Sequence, residues 1–149
     1  MATPEEVAAR LNAREWEKRK KDTYRKIGAR LLEFAQEEAP VGEGDGDHLR
    51  DDLEVLISHG KEPIKIRAKT KKALLGMITS GTRPHRIEPV IARALHWTSG
   101  GADFFAAYVD HPGTAPNDFL GRAAKEAAPD LEDILRESAE DWLDWVAQA

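Results

Sequence analysis

Residues 109–123 read VDHPGTAPNDFLGRA, and their reading decides where a sheet ends and a C-terminal helix begins. An apolar run, FFAAYV at 104–109, leads into them, and an echo, SGTRPHRIEP, lies at 80–89. Each copy holds Gly-Thr-x-Pro: Gly81-Thr82-Arg83-Pro84, with His85 beside it, and Gly113-Thr114-Ala115-Pro116, with His111 nearby. Glycine admits positive φ, proline holds φ near −65°, and the residue before proline is pushed to an extended conformation. Both segments are therefore predicted to be stiff corners, extended and largely unable to pair as ordinary sheet. Rigid loops carrying exposed His, Arg and Pro lose little entropy on docking, which suits a permanent protein interface better than a catalytic site. The alternative is that they are only sheet corners.

Downstream, residues 117–149 read as a helix. Leu131, Ile134, Leu135, Trp142, Trp145 and Val146 share one stripe, and Pro129 predicts a kink or a restart. Upstream, FFAAYVDH reads as a buried strand, joined through Ser99-Gly100-Gly101 to a strand in VIARALHWT. LEVLISHG and PIKIRAK read as strands joined through Gly60 and Pro63, with Ile64 and Ile66 alternating with bases. KALLGMITS reads as a third strand or a short helix. VGEGDGDHLRDD at 41–52 is expected to be a flexible acidic loop. A long helix is predicted over 4–38, with Thr3 as N-cap, Pro4 at the first position and Glu5 and Glu6 in the first turn. Tyr24, Ile27, Leu31, Phe34 and Ala35 form its apolar face, and Pro40 ends it. Val7, Leu11 and Trp16 do not join that stripe, so the first half reads as an exposed extension or a face for a neighbouring subunit. The expected architecture is one α+β domain over 1–149: helix 1–38, loop 41–52, an antiparallel sheet of four or five strands within 53–116, and helix 117–149.

The chain is 41% hydrophobic and 33% charged, which is ordinary for a soluble globular protein. It has no cysteine, which excludes disulfides, thiolate zinc sites and a cysteine nucleophile. No apolar run approaches the ~20 residues of a membrane span, and MATPEEVAARLNAREWEKRKK lacks a signal-peptide core. A soluble protein made and kept in a cytoplasm is expected. The net charge of −5 is unevenly spread. Residues 1–30 carry nine bases and five acids, residues 61–72 six bases and one acid, and residues 125–149 two bases and eight acids. That split suits solvated helix faces, contacts between copies, or steering of a partner.

Catalytic and metal motifs are sparse. Glu43, Asp45, Asp47 and His48 resemble a calcium loop only superficially, lacking the glycine and closing glutamate of an EF-hand, and read as a solvated loop. His85, His96 and His111 could converge on a zinc, yet no spacing requires it. A histidine beside proline in a turn more often bonds a backbone carbonyl. There is no nucleophile elbow and no phosphate loop. Arg10, Arg14, Lys18, Lys21 and Arg25, with Lys65, Arg67, Lys69, Lys71 and Lys72, offer basic arrays for nucleic acid. The pI of about 5.6 and the lack of a recognition motif count against that.

Ala39-Pro40 with HLRDDLEV at 48–55, then SGTRPHRIEP, ARALHWTSGG at 92–101 and VDHPGTAPNDFLGRA, in this order and spacing, resembles the neck or tail-component family of long-tailed bacteriophages. The likeness covers residues 39–128 and the flanking helices in outline. The family's pattern runs Gly-Thr-x-Pro-His-x-Ile-x-Pro, Ala-Leu-x-Phe, then His-Pro-Gly-Thr-x-Pro-x-Pro-Phe-Leu-x-x-Ala. Here Trp97 stands for Phe, Asp118 for the second proline, Gly121-Arg122 for Arg-Pro, and VGEGDGD is longer than usual. The resemblance implies a structural virion protein of the head-to-tail junction, acting in neck assembly or tail completion. It implies no enzyme and no cofactor. The implied partners are further copies of the chain in a ring, for which six would fit a phage neck, the connector or stopper, and the tail-terminator or tail-tube proteins. It places the chain in the virion, and in the host cytoplasm during assembly.

The expected subunit or partner surface is Gly81, Thr82, Arg83, Pro84, His85, Ile87, Pro89, His111, Pro112, Gly113, Thr114, Pro116, Phe119 and Leu120. Expected electrostatic contacts are Arg14, Lys18, Lys21, Arg25, Lys65, Arg67 and Lys69 on the basic side and Glu137, Glu140 and Asp141 on the acidic side. Rival readings are a DNA-contacting neck or packaging factor using Arg14, Lys18, Lys65 and Lys69, with passing contact to DNA in the channel, a tail assembly factor absent from the virion, and a small metal-dependent enzyme using the three histidines.

Overall fold

The computed structural model describes residues 3–11, 14–42, 48–58 and 63–148. In chain order the elements are α1 (Pro4–Leu11), α2 (Arg14–Glu38), α3 (Leu49–Asp52), β1 (Leu53–Ile57), β2 (Ile64–Ala68), α4 (Lys72–Ser80), β3 (His85–Ile87), β4 (Leu95–Ser99), β5 (Ala102–Ala106), β6 (Val109–His111) and α5 (Phe119–Ala147). The architecture is α+β, and the chain forms two compact units, Met1–Leu75 with Asp118–Ala149, and Gly76–Asn117. Glu43, Asp45, Asp47 and Gly60, and the side chains of Arg10 and Leu11, lie outside the described residues.

In the first unit a capping box starts α1: the Glu6 amide donates to Thr3 Oγ1 (3.2 Å), and the Thr3 amide donates to Glu6 Oε2 (2.7 Å). α2 and α5 pack antiparallel, as their cross-contacts require. Arg30 meets Asp130 (2.5 Å), Arg122 meets Glu38 (2.7 Å), and Trp16 lies edge-on to Trp142 at 4.8 Å. Small buried residues, Ala35, Ala123 and Ala127, allow a close approach. The expected exposed extension is corrected only at the start of α2, where Trp16 docks on α5 and the Arg19 guanidinium sits 5.0 Å from the Trp145 ring; in α1, Pro4, Glu5, Glu6, Ala8 and Ala9 are exposed and Val7 is half-buried. α5 passes through Pro129 as one helix rather than restarting. Pro129 is exposed, so the carbonyl its ring leaves unpaired can be hydrated.

β1 and β2 form an antiparallel hairpin in which Val55 opposes Ile66. Leu53 and Ala68 are buried, whereas Lys65 and Arg67 face water, as the alternation predicts. Gly28 of α2 faces this hairpin: a Cβ there would lie 2.8 Å from Val55 Cγ2 and 3.1 Å from Ile57 Cδ1. The 41–52 segment ends in a helical turn, not a loop, with Leu49 and Asp52 buried. Asp52 accepts from the amides of Lys71 (2.7 Å) and Thr70 (2.9 Å) and from the Thr70 hydroxyl (2.8 Å). The Lys71 amide first, then the two Thr70 donors, hold this carboxyl below its ordinary range against the upward push of burial.

In place of one sheet of four or five strands, the described residues form six short strands in three two-stranded ladders. KALLGMITS is α4, and only Leu95–Ser99 of VIARALHWT is a strand. FFAAYVDH is neither continuous nor buried. It divides between β5 and β6, and Phe105 is 69% exposed. Among the described residues no helix is long and apolar enough to cross a membrane.

Candidate functional site: the paired Gly-Thr-x-Pro turns

In the second unit the two turns pair with each other. Thr82 and Thr114 exchange both backbone hydrogen bonds (2.9 and 3.1 Å), and the Thr114 amide also reaches Thr82 Oγ1 at 3.0 Å. The β3–β6 ladder continues in the same register, with His85 opposite His111, Arg86 opposite Asp110 and Ile87 opposite Val109. That register sets Pro84 opposite Pro112, where an antiparallel ladder would form its next exchange of bonds. Neither residue has an N–H, so the ladder is interrupted there. The expectation that the turns are largely unable to pair as ordinary sheet is corrected only in part, since the prolines remove one rung and the single Thr82–Thr114 bridge keeps the strands joined.

Glycine is required at both crossings. Gly81 has φ 70° and Gly113 φ 87°. A Cβ on Gly81 would stand 2.5 Å from the Thr114 carbonyl oxygen, and one on Gly113 would collide with the Thr82 carbonyl oxygen. Each glycine thus lets one turn cross the other's backbone.

Both histidines hold backbone. His85 Nδ1 lies 2.8 Å from the Arg83 carbonyl, which can only accept, so this nitrogen carries the proton. His111 Nδ1 accepts from the Gly113 amide at 3.0 Å, so its proton, when neutral, is on Nε2. The rings face each other at 5.1 Å in opposite tautomers. The one ring lone pair of His111 is therefore already engaged, which leaves the pair poorly suited to chelation. His96 stands elsewhere in the unit, bonded to Asp103 at 2.9 Å and stacked on Phe105 at 4.6 Å. Among the described residues no group of three or more His, Asp or Glu side chains could hold a metal.

Arg86 clamps Asp110 with two bonds (2.7 and 3.0 Å) and lies 3.9 Å above the Tyr108 ring. Sequence reasoning passed over this trio. The signal was present: aligning the two Gly-Thr-x-Pro copies head to tail sets Arg86 and Asp110 one step beyond the histidines.

Between the turns, β4 and β5 form a hairpin through Gly100 and Gly101, whose φ values of 58° and 79° suit a two-residue primed turn. Trp97 stacks on Phe104 at 5.7 Å, and the two residues are 42% and 44% exposed.

Of the expected interface residues, Gly81, Thr82, Arg83, Pro84, His85, Ile87, Pro89, His111, Pro112, Gly113, Thr114 and Pro116 all belong to this unit. Phe119 does not serve as an interface residue: it is 0% exposed and fills the core of the first unit, while Leu120 is half-buried there. The Asp118 carboxylate caps α5 by accepting from the Gly121 amide at 3.0 Å, and a Cβ at Gly121 would strike that carboxylate. Asp118 and Gly121 thus act as a pair.

The basic arrays are partly neutralised within the chain. Lys18 lies near Glu15 (3.9 Å), Arg25 near Asp22 (2.6 Å) and Arg67 near Glu54 (2.6 Å). Arg14 and Lys69 are exposed, and Lys21 is half-buried. Glu137, Glu140 and Asp141 are exposed on α5, where Asp141 borders a cleft of about 230 Å³ lined also by Arg19, Asp22, Lys26 and Trp142. No protein-family model, curated protein or solved structure matches the chain significantly.

Proposed function

We propose that this chain is a structural subunit of the head-to-tail junction of a long-tailed bacteriophage, a ring-forming protein that links connector and tail tube. The observation that carries the reading is the mutual locking of the two Gly-Thr-x-Pro turns through Thr82 and Thr114, beside a hairpin that leaves its aromatic residues in water. Such a unit has stiff, pre-organised edges and unburied apolar surface, which are properties of a protein that assembles. Both histidines are engaged with backbone, which favours architecture over chemistry. Of the residues that the DNA-contacting alternative would use, Lys18 lies near Glu15 while Arg14, Lys65 and Lys69 are exposed, and salt-dependent retention on DNA is the measurement that separates the two readings.

The test is genetic and biochemical. Phage lacking this protein should accumulate filled heads and unattached tails, and adding the purified protein to that lysate should restore joined, infectious particles. Normal tail joining without the protein would overturn the reading.

A further inference from the structure

Two histidines flank the crossing of the turns, and a proton added to one has a different consequence from a proton added to the other. His85 is exposed and His111 is half-buried. Neutral His85 carries its proton on Nδ1, which donates to the Arg83 carbonyl at 2.8 Å, so its basic atom is Nε2. An added proton goes there, and the bond to Arg83 persists. His111 is the reverse. Its basic atom is Nδ1, the acceptor for the Gly113 amide at 3.0 Å. An added proton goes to Nδ1 and sets an N–H against the Gly113 N–H, so that bond is lost.

The Gly113 amide belongs to the crossing itself. The His111–Gly113 bond spans Pro112 and closes a turn of the kind that an Asn or Asp side chain makes with the backbone two residues on. It orients Gly113, which has φ 87° and no room for a Cβ beside the Thr82 carbonyl oxygen. The next residue is Thr114, whose amide bonds the Thr82 carbonyl at 3.1 Å and Thr82 Oγ1 at 3.0 Å. Loss of the His111 acceptor frees the chain immediately before this rung.

Charge acts in the same direction. The two rings lie 5.1 Å apart, so a doubly protonated pair sets two cations face to face. By the register, Arg83 lies on the His85 side of the strand and adds a third positive charge. Arg86 and Asp110 alternate to the opposite side, where they pair with each other, and Glu88 follows Arg86 there. In β4–β5, His96 bonds Asp103 at 2.9 Å, a contact that strengthens when the ring is charged. His96 therefore opposes a loosening of this unit in acid.

We infer that His111 is an acid-sensitive latch on the paired turns: it holds Gly113 and the Thr82–Thr114 rung while neutral and releases them when Nδ1 takes a proton. The latch is present at the higher pH and is lost as pH falls. It acts within one chain and does not depend on the virion reading.

Amide hydrogen exchange read by NMR on the full chain tests this. Protection factors of Thr82, Gly113 and Thr114 are compared between about pH 8 and about pH 5, the interval over which histidine ordinarily changes charge. Protection should fall by about tenfold toward acid, the loss of one hydrogen bond. His111→Asn should abolish the response, because its side-chain oxygen takes the place of Nδ1, accepts from the Gly113 amide and does not titrate. His85→Gln should retain it. Wild-type protection that is the same at both pH values overturns the inference, as does a fall that persists in His111→Asn or vanishes in His85→Gln. Ring nitrogen shifts of the wild type need no variant. Near pH 8 the proton of His111 should be on Nε2 and that of His85 on Nδ1, and a neutral His111 protonated on Nδ1 overturns the inference whatever the variants do.

Discussion

Gly113 and Gly81 differ from Gly100 and Gly101 in one respect that mutation can isolate. All four have positive φ, but only the first two have another chain segment where a Cβ would stand. Ala at Gly113 or Gly81 therefore meets both the left-handed backbone penalty, about 1–2 kcal/mol, and a collision with a carbonyl that cannot move without breaking the Thr82–Thr114 bonds. A loss of at least about 2 kcal/mol is expected. Gly100→Asn should be nearly neutral, since the hairpin turn accepts Asn and nothing lies within 4 Å. Trp97, the one tryptophan in Gly76–Asn117, supplies the fluorescence signal for chemical denaturation of that unit. Asp52 gives a pH-dependent counterpart. Its folded pKa is lowered, chiefly by the Lys71 amide, so its stabilising effect is complete above the usual carboxyl value and disappears as pH falls through the lower folded value. Asp52→Asn keeps one acceptor oxygen for three donors. It should lower the melting temperature at pH 7, and the gap from wild type should close in strong acid; a gap that does not change with pH would refute the assignment.

α2 shows how far an element can be read from its letters. Tyr24, Ile27, Leu31, Phe34 and Ala35 were legible as one face, and Ile27 and Ala35 are buried. The same face continues back through Thr23 and Lys20 to Trp16, and there the polar letters hid it. Thr23 is 4% exposed because its hydroxyl bonds the Arg19 carbonyl at 3.2 Å, so a polar residue occupies a core position. Gly28 was equally opaque, since only the proximity of Val55 explains a glycine in mid-helix. Gly28→Ala gains about 1 kcal/mol of helix propensity, but it presses on a β-branched side chain that is stiff at χ1. Overpacking of about 1–3 kcal/mol should dominate, and a more stable Ala variant in urea denaturation would show that the hairpin yields. FFAAYVDH failed for the opposite reason. Its apolar run suggested burial, yet a two-stranded ladder has no second layer to supply it, and burial is a property of neighbours that a run of letters cannot specify. The paired turns were legible as a repeat and as stiff corners; that they cross each other was not, because pairing depends on a register set across about thirty residues.

At the scale of the whole molecule, the split between a basic start and an acidic end looked like a device for joining copies. Part of it is satisfied at home: Arg30 meets Asp130, and together with the Arg122–Glu38 pair, which lies outside those two stretches, this aligns α2 with α5 inside one chain. What remains for a neighbour is the outer face of α5, where Glu137 and Glu140 are exposed. Asp141 is a poorer probe, because it borders the cleft that also holds Arg19 and Lys26, and reversing it would disturb the α2–α5 packing. Glu137→Lys with Glu140→Lys is therefore the clean variant. Exposed charges act over a screening length of about 10 Å at 0.1 M salt and about 3 Å at 1 M. If copies meet through this face, the double variant should associate more weakly than wild type at low ionic strength, and the two should converge at high salt, where apolar contacts alone remain. A double variant whose mass matches wild type at both ionic strengths would mean that α5 turns its acids to water, and that contacts between copies depend on the apolar patches without electrostatic help.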